Sequence, residues 1–245
     1  MPTRLVHLVL DANDPLKLAR FWAAALGWEV EEEDGEIGVC PAGYDYPDPV
    51  ALAVLFEPVP EAKTGKNRVH LDLATESAEH QAALVARLRS LGAQSADVGQ
   101  GDVPWAVLAD PEGNEFCVLE PRAVYRDTGP VAAVVVDCAD PTALAGFWEL
   151  ASGWARVRSN DGLVTFRSPR GVGPYLELEE VAGAKTAKNR MHLDVAPYKD
   201  EDHAAAVKQL QEAGAVRADI GQGSDVSWTV LADPEGSEFC VLRPR

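Results

Sequence analysis

Cysteine is scarce in this chain. The four residues, Cys40, Cys117, Cys138 and Cys240, form no Cys-x-x-Cys pair, so neither a disulfide framework nor a thiolate zinc cluster is indicated, which suits a reducing compartment. Basic residues are also short: 22 Lys and Arg stand against 39 Asp and Glu, a net charge of −17. With no basic patch to offset it, that charge repels phosphate backbones and anionic membranes, which argues against nucleic-acid and membrane partners. Long apolar runs are missing as well. The opening MPTRLVHLVLDAND returns to charged residues too soon for a signal-peptide core or a membrane span. These absences predict a cytoplasmic globular protein that meets a small-molecule ligand or substrate, as a monomer or homodimer. The 47% hydrophobic content is ample for a core.

What is present is present twice. KNRVHLDLA at Lys66–Ala74 returns as KNRMHLDVA at Lys188–Ala196, and LDANDPLKLARFWAAALGW at Leu10–Trp28 as VDCADPTALAGFWELASGW at Val136–Trp154. WAVLADPEGNEFCVLEPR at Trp105–Arg122 returns as WTVLADPEGSEFCVLRPR at Trp228–Arg245. All six tryptophans fall in matched pairs: Trp22 with Trp148, Trp28 with Trp154, Trp105 with Trp228. The chain reads as two copies of one unit, residues 1–122 and 131–245, joined by a polar linker over 123–130 that closes with Gly-Pro.

Within the first copy TRLVHLVLD alternates as a strand, and NDPLKLARFWAAALGW reads as a helix with Asp14 as N-cap, Pro15 at its first position and Gly27 as its stop. Strands are predicted at Glu29–Glu33, Ile37–Cys40 and Val50–Glu57. A second round follows, with strand Arg68–Ala74, helix Ser77–Leu91 and strands near Gln94–Val98, Trp105–Ala109 and Glu115–Glu120. The order is β-α-β-β-β twice per copy, an α+β protein.

That order, with RLVHLVLDANDPLKLARFWAAALGW, NRVHLDL and DPEGNEFCVL as its markers, resembles the vicinal oxygen chelate superfamily, in particular its glyoxalase-like and bleomycin-resistance-like branch. The resemblance spans essentially the whole chain, once per copy. It implies tandem glyoxalase-like domains in which paired βαβββ modules curl their sheet into an open cup. It also implies metal ligands on the inward faces of the first and last strands of each module. The first-strand positions are His7 in copy one, where copy two has Ala133, and His70 and His192. The last-strand position, where metal-binding relatives carry glutamate, holds Cys117 and Cys240. Glu57 and its counterpart Glu179 end the fourth strand of each copy, and Glu177 shares the inward face.

Two expectations follow. The broken ligand set favours a binding protein that sequesters a hydrophobic or aromatic metabolite or antibiotic, with Trp105 and Trp228 at the cup mouths and His7, His70, Cys117, Glu179, His192 and Cys240 lining the cups. The alternative is a metal-dependent lyase, isomerase or dioxygenase working in copy one. Its divalent metal would be held there only, by His7, His70 and either Glu57 or Cys117, with Glu57 and His70 as catalytic groups. The bland readings stand beside these: His70 and His192 as structural histidines bonded to a neighbouring carboxylate, either Asp72 and Asp194 or Glu57 and Glu179, the two cysteines as small buried residues, and the lysines before each histidine strand as partners for nearby acids.

Overall fold

Strand β1 (Arg4–Ala12) opens the first module of a computed structural model that describes residues 2–33, 35–45, 52–160, 162–183, 185–223 and 226–244. The Asp14 side chain then accepts from the backbone N–H of Lys17 at 3.1 Å and starts α1 (Pro15–Leu26), which Gly27 ends at φ 69. Strands β2 (Glu29–Glu33), β3 (Glu36–Cys40) and β4 (Ala53–Pro58) complete the module. The expected start of β4 at Val50 lies outside the described residues.

The second module is β5 (Val69–Leu73), α2 (Ala78–Ser90), β6 (Gln94–Ser95), β7 (Ala106–Ala109) and β8 (Glu115–Val118). The third is β9 (Val131–Cys138), α3 (Pro141–Ser152), β10 (Ala155–Asn160), β11 (Leu163–Arg167) and β12 (Tyr175–Glu180). The fourth is β13 (Met191–Ala196), α4 (His203–Glu212), β14 (Val216–Arg217), β15 (Thr229–Ala232) and β16 (Glu238–Val241).

Among the described residues these strands form two eight-stranded sheets, in the orders β14-β15-β16-β13-β1-β4-β3-β2 and β10-β11-β12-β9-β5-β8-β7-β6. Each sheet therefore joins one module from each copy. The first pairs modules one and four through antiparallel β1 and β13, and the second pairs modules two and three through β5 and β9. Alternation along the strands gives every sheet a helix-covered face and a bare inner face.

The two modules of one copy meet through their helix-side cores instead. The Trp22 indole N–H of α1 donates to Asp110 at 3.2 Å, and its ring packs edge-on against Phe116 at 5.1 Å. Trp148 donates to Asp233 at 3.1 Å and packs on Phe239 at 5.6 Å in the same way. Each Asp-Pro-Glu-Gly turn also sends its glutamate to a helix start: Glu112 accepts from the backbone N–H groups of Asn13 and Asp14, both at 2.8 Å, and Glu235 from those of Ala139 and Asp140. A carboxylate at a helix N-terminus is favourable there.

The linker is more than a tether. Ala123–Tyr125 forms a single 3₁₀ turn that buries Tyr125 over the second sheet.

Candidate functional site

Assembly across the copies redistributes the residues singled out above. His7 and His70 lie on different sheets, so the metal set His7, His70 and Glu57 or Cys117 is not brought together. The physical reason is strand pairing: β1 hydrogen-bonds to β13, and β5 to β9. His7 meets His192, Asp194 and Cys240 with Glu57. His70 meets Asp72, Cys117, Asp137 and Glu179.

In the first cup, His7 of β1 stands opposite Asp194 of β13, and Asp194 stands opposite Cys240 of β16. The Asp194 carboxylate receives both histidines: His7 Nδ1 is 3.5 Å from Oδ2, and His192 Nε2 is 3.5 Å from Oδ1. Burial alone would raise the Asp194 carboxyl, yet the bonds from His192 and His7 hold it below its ordinary value. Cys240 Sγ lies 3.5 Å from His192 Nε2. Its thiol is pushed far up, first by burial and then by the Asp194 charge, so it is a neutral thiol in this setting. Glu57, opposite Asp11 at the end of β4, is raised by burial and by Asp11, with His192 pulling the other way. Lys188 reaches across from the loop that precedes β13 to pair with Asp11.

The second cup is differently furnished. His70 Nε2 lies 3.6 Å from Asp72 and its Nδ1 3.9 Å from Asp137. Burial drives His70 down to about 4 and Asp72 up to about 7, so near pH 6 both are neutral and these contacts are not ion pairs. Cys117 is buried and raised beyond the ordinary thiol range, again first by burial. Tyr125 from the linker closes this cup: its hydroxyl donates to Glu177 across 3.4 Å, and its ring sits with Tyr175, Val135 and Cys117 in a small apolar cluster. What is left is a cavity of about 50 Å³ beside His70, Cys117 and Glu179. Lys66 pairs with Asp137, repeating the Lys188–Asp11 pair. Both lysines therefore act as partners for buried aspartates of the other copy.

Trp105 is at the edge of the second cup, where its indole N–H donates to Gln100 at 3.0 Å and Arg122 lies over its ring at 5.4 Å. Trp228 precedes β15 at the edge of the first sheet, partly buried. Three residues carry more of the sites than sequence reasoning assigned them. Asp194 and Asp72 were visible only as neighbours of the histidines, and Tyr125 sat in a segment read as linker. The i, i+2 spacing of His192 with Asp194, and of His70 with Asp72, was the signal for the two aspartates, since it puts both on one strand face.

A family model described as a glyoxalase-like domain matches the chain twice, over residues 7–119 and 133–242. The chain belongs to that glyoxalase-like family, and with it to the vicinal oxygen chelate proteins. Among solved structures, glyoxalase I from Zea mays superposes with a TM-score of 0.67 at 17% identity, covering 98% of this chain and 92% of that one. A Bacillus subtilis protein assigned as a dioxygenase superposes at 0.62 with 12% identity, covering 98% and 84%. At these identities the likeness is one of fold. No curated protein matches the chain in sequence. Metal-dependent members of the family use a divalent metal, and each cup offers a donor set for one: atoms of His192, Asp194 and Cys240 in the first, and of His70, Asp72 and Cys117 in the second, lie within 4.8 Å of one another; only the first adds a further histidine, His7, on the far side of Asp194. Asp194 Oδ1 is buried, with His192 Nε2 facing it at 3.5 Å and no hydrogen bond of good geometry to it.

Proposed function

We propose that the first cup is the working site and that it carries out metal-dependent chemistry of the lyase, isomerase or dioxygenase kind on a small oxygen-bearing substrate. The observation that supports this is the buried cluster of His192, Asp194 and Cys240, with His7 of the other copy 3.5 Å from the second oxygen of Asp194. Two imidazoles, a carboxylate and a thiol suit zinc, iron or nickel, and three of them leave a position open for substrate. A cation held by these residues would polarise a substrate oxygen. The chain's own part is to keep Asp194 ionised and both imidazoles turned toward it. Glu57, whose carboxyl is raised at the rim, is suited to take and return a proton.

The reading of the protein as an antibiotic-sequestering cup rested on ligand sets that looked broken within each copy. Pairing across the copies leaves Cys117 and Cys240 at the last-strand positions but places His7 beside the Asp194 of the other copy, which favours the metal-site reading. A buried floor of four ionisable groups is also a costly way to hold a hydrophobic ligand. The second cup, lacking the His7 equivalent and closed by Tyr125, is assigned a structural role.

Metal analysis of the purified protein tests the proposal. Stoichiometric zinc, iron or nickel, lost in His192→Ala and kept in His70→Ala, is the expected result. A metal-free protein that binds none of the three on titration would sink it.

A further inference from the structure

A second pocket lies away from both cups, on the helix-side faces of the sheets beneath the linker. Its volume is about 230 Å³, and its walls are Leu8, Trp28, Val54, Leu71, Val131 and Val134, with Thr128 and Gly129 in the roof. The roof is pinned: the Asp127 carbonyl accepts from the Gly173 N–H at 2.9 Å and from Arg167 at 3.2 Å, and the Thr128 hydroxyl donates to the Tyr125 carbonyl at 2.8 Å.

The internal duplication explains why this space is open. Gly129 occupies in the third module the place that Thr3 occupies in the first, as Val131 corresponds to Leu5 and Val134 to Leu8. Thr3 packs down on the end of α3, where its hydroxyl donates to the Ala151 carbonyl at 2.6 Å. Its carbonyl oxygen would sit 2.9 Å from a methyl built on Gly153, and neighbouring Trp154 is only 4% exposed. On the other side, Gly129 has no side chain to send down, and a methyl built on Gly27 would meet nothing within 4 Å. Trp28, the counterpart of Trp154, is left partly open to the pocket.

We propose that this pocket is a binding site for a small uncharged molecule of one or two rings, aromatic or alicyclic. The chemistry of the walls carries the assignment. They hold aliphatic side chains and one indole face, and the threonine hydroxyl in the roof already has its partner. An apolar pocket of this kind favours an aromatic molecule over water, and cavities of roughly 150 Å³ are known to hold benzene. Asp127 borders the pocket at the roof, but the walls beneath offer only apolar side chains, so charged and strongly polar ligands are disfavoured because little there would replace their hydration. The inference does not rest on the chemistry assigned to the first cup.

The test uses the full chain with p-xylene as probe. Near-saturating p-xylene is expected to raise Tm by about 2–4 °C, as a ligand that binds only the folded state does. It should also shift the tryptophan emission, and that shift should vanish in Trp28→Phe. Val54→Phe, which fills the pocket, should weaken binding at least tenfold, and Leu52→Phe, at another residue lining the pocket, provides a second filling variant should Val54→Phe fail to fold. His192→Ala and His70→Ala should bind p-xylene as the parent does. The proposal is overturned if p-xylene leaves Tm and emission unchanged, if both filled variants still bind, or if binding is lost in either histidine variant, which would place the ligand in a cup.

Discussion

His7 and Asp194 face each other across the antiparallel pair of β1 and β13, with Nδ1 3.5 Å from Oδ2. They come from opposite ends of the chain and from different copies of the repeat. Their meeting makes the first cup a joint product of both copies.

If the sheets are shared in this way, one copy alone has lost half of each sheet. A chain ending at Arg122 would bare the edges of β1 and β5, and exposed strands of that length seek a partner. The expected outcome is a homodimer in which the two copies exchange modules as they do in the full chain. Light scattering on the truncated chain checks it. A stable monomer with native-like circular dichroism would contradict the shared-sheet arrangement.

Asp194 should matter for metal and for stability together. In Asp194→Asn the site loses a charged donor and the two histidines the charge that orients them, so metal affinity should fall by at least the roughly 10- to 100-fold seen when a carboxylate behind a metal-bound histidine is removed. The equivalent change in the second cup, Asp72→Asn, should leave metal content unchanged. Competition with a chromophoric chelator reads both.

Asp72 also carries a pH signature. Its folded-state carboxyl is raised to about 7 from an ordinary 3.8, chiefly by burial and next by Glu177. Between those values the folded chain holds a proton that the unfolded chain has released. The Asp72 contribution therefore favours the fold at low pH and is lost as pH rises toward 7. Asp72→Asn cannot ionise, so it should gain stability over the parent at pH 8, on the order of 1–3 kcal/mol, and none near pH 4. Urea titrations at the two pH values measure the difference.

The lysine of each KNR segment neutralises a buried aspartate of the other copy. Lys188→Met would leave Asp11, 5% exposed, without its partner and should cost about 1–3 kcal/mol, discounted because the lysine is itself partly exposed. Adding Asp11→Asn should restore most of the loss, a coupling that a double-mutant cycle in chemical denaturation measures.

Much of this was legible in the residues. The repeat, the Asp-Pro helix start at Asp14 and Pro15, the Gly27 stop and the inward histidines at 7, 70 and 192 follow from local periodicity and capping, which act over a few residues. The identity of the superfamily followed from the same short patterns.

The partners across the sheet were not legible. β1 carries the same alternation whether its neighbour is β5 or β13, because pairing energy lies in backbone hydrogen bonds that every strand offers alike. The packing of Trp22 on Phe116 and of Trp148 on Phe239 joins the modules of each copy on the helix side, while the strand edges pair with the other copy. The sequence by itself determined two copies of a βαβββ pair with histidines facing inward. The tertiary structure decided that His7 works with His192 and Asp194 rather than with His70, because long-range strand pairing, not local pattern, sets which inner faces share a cup.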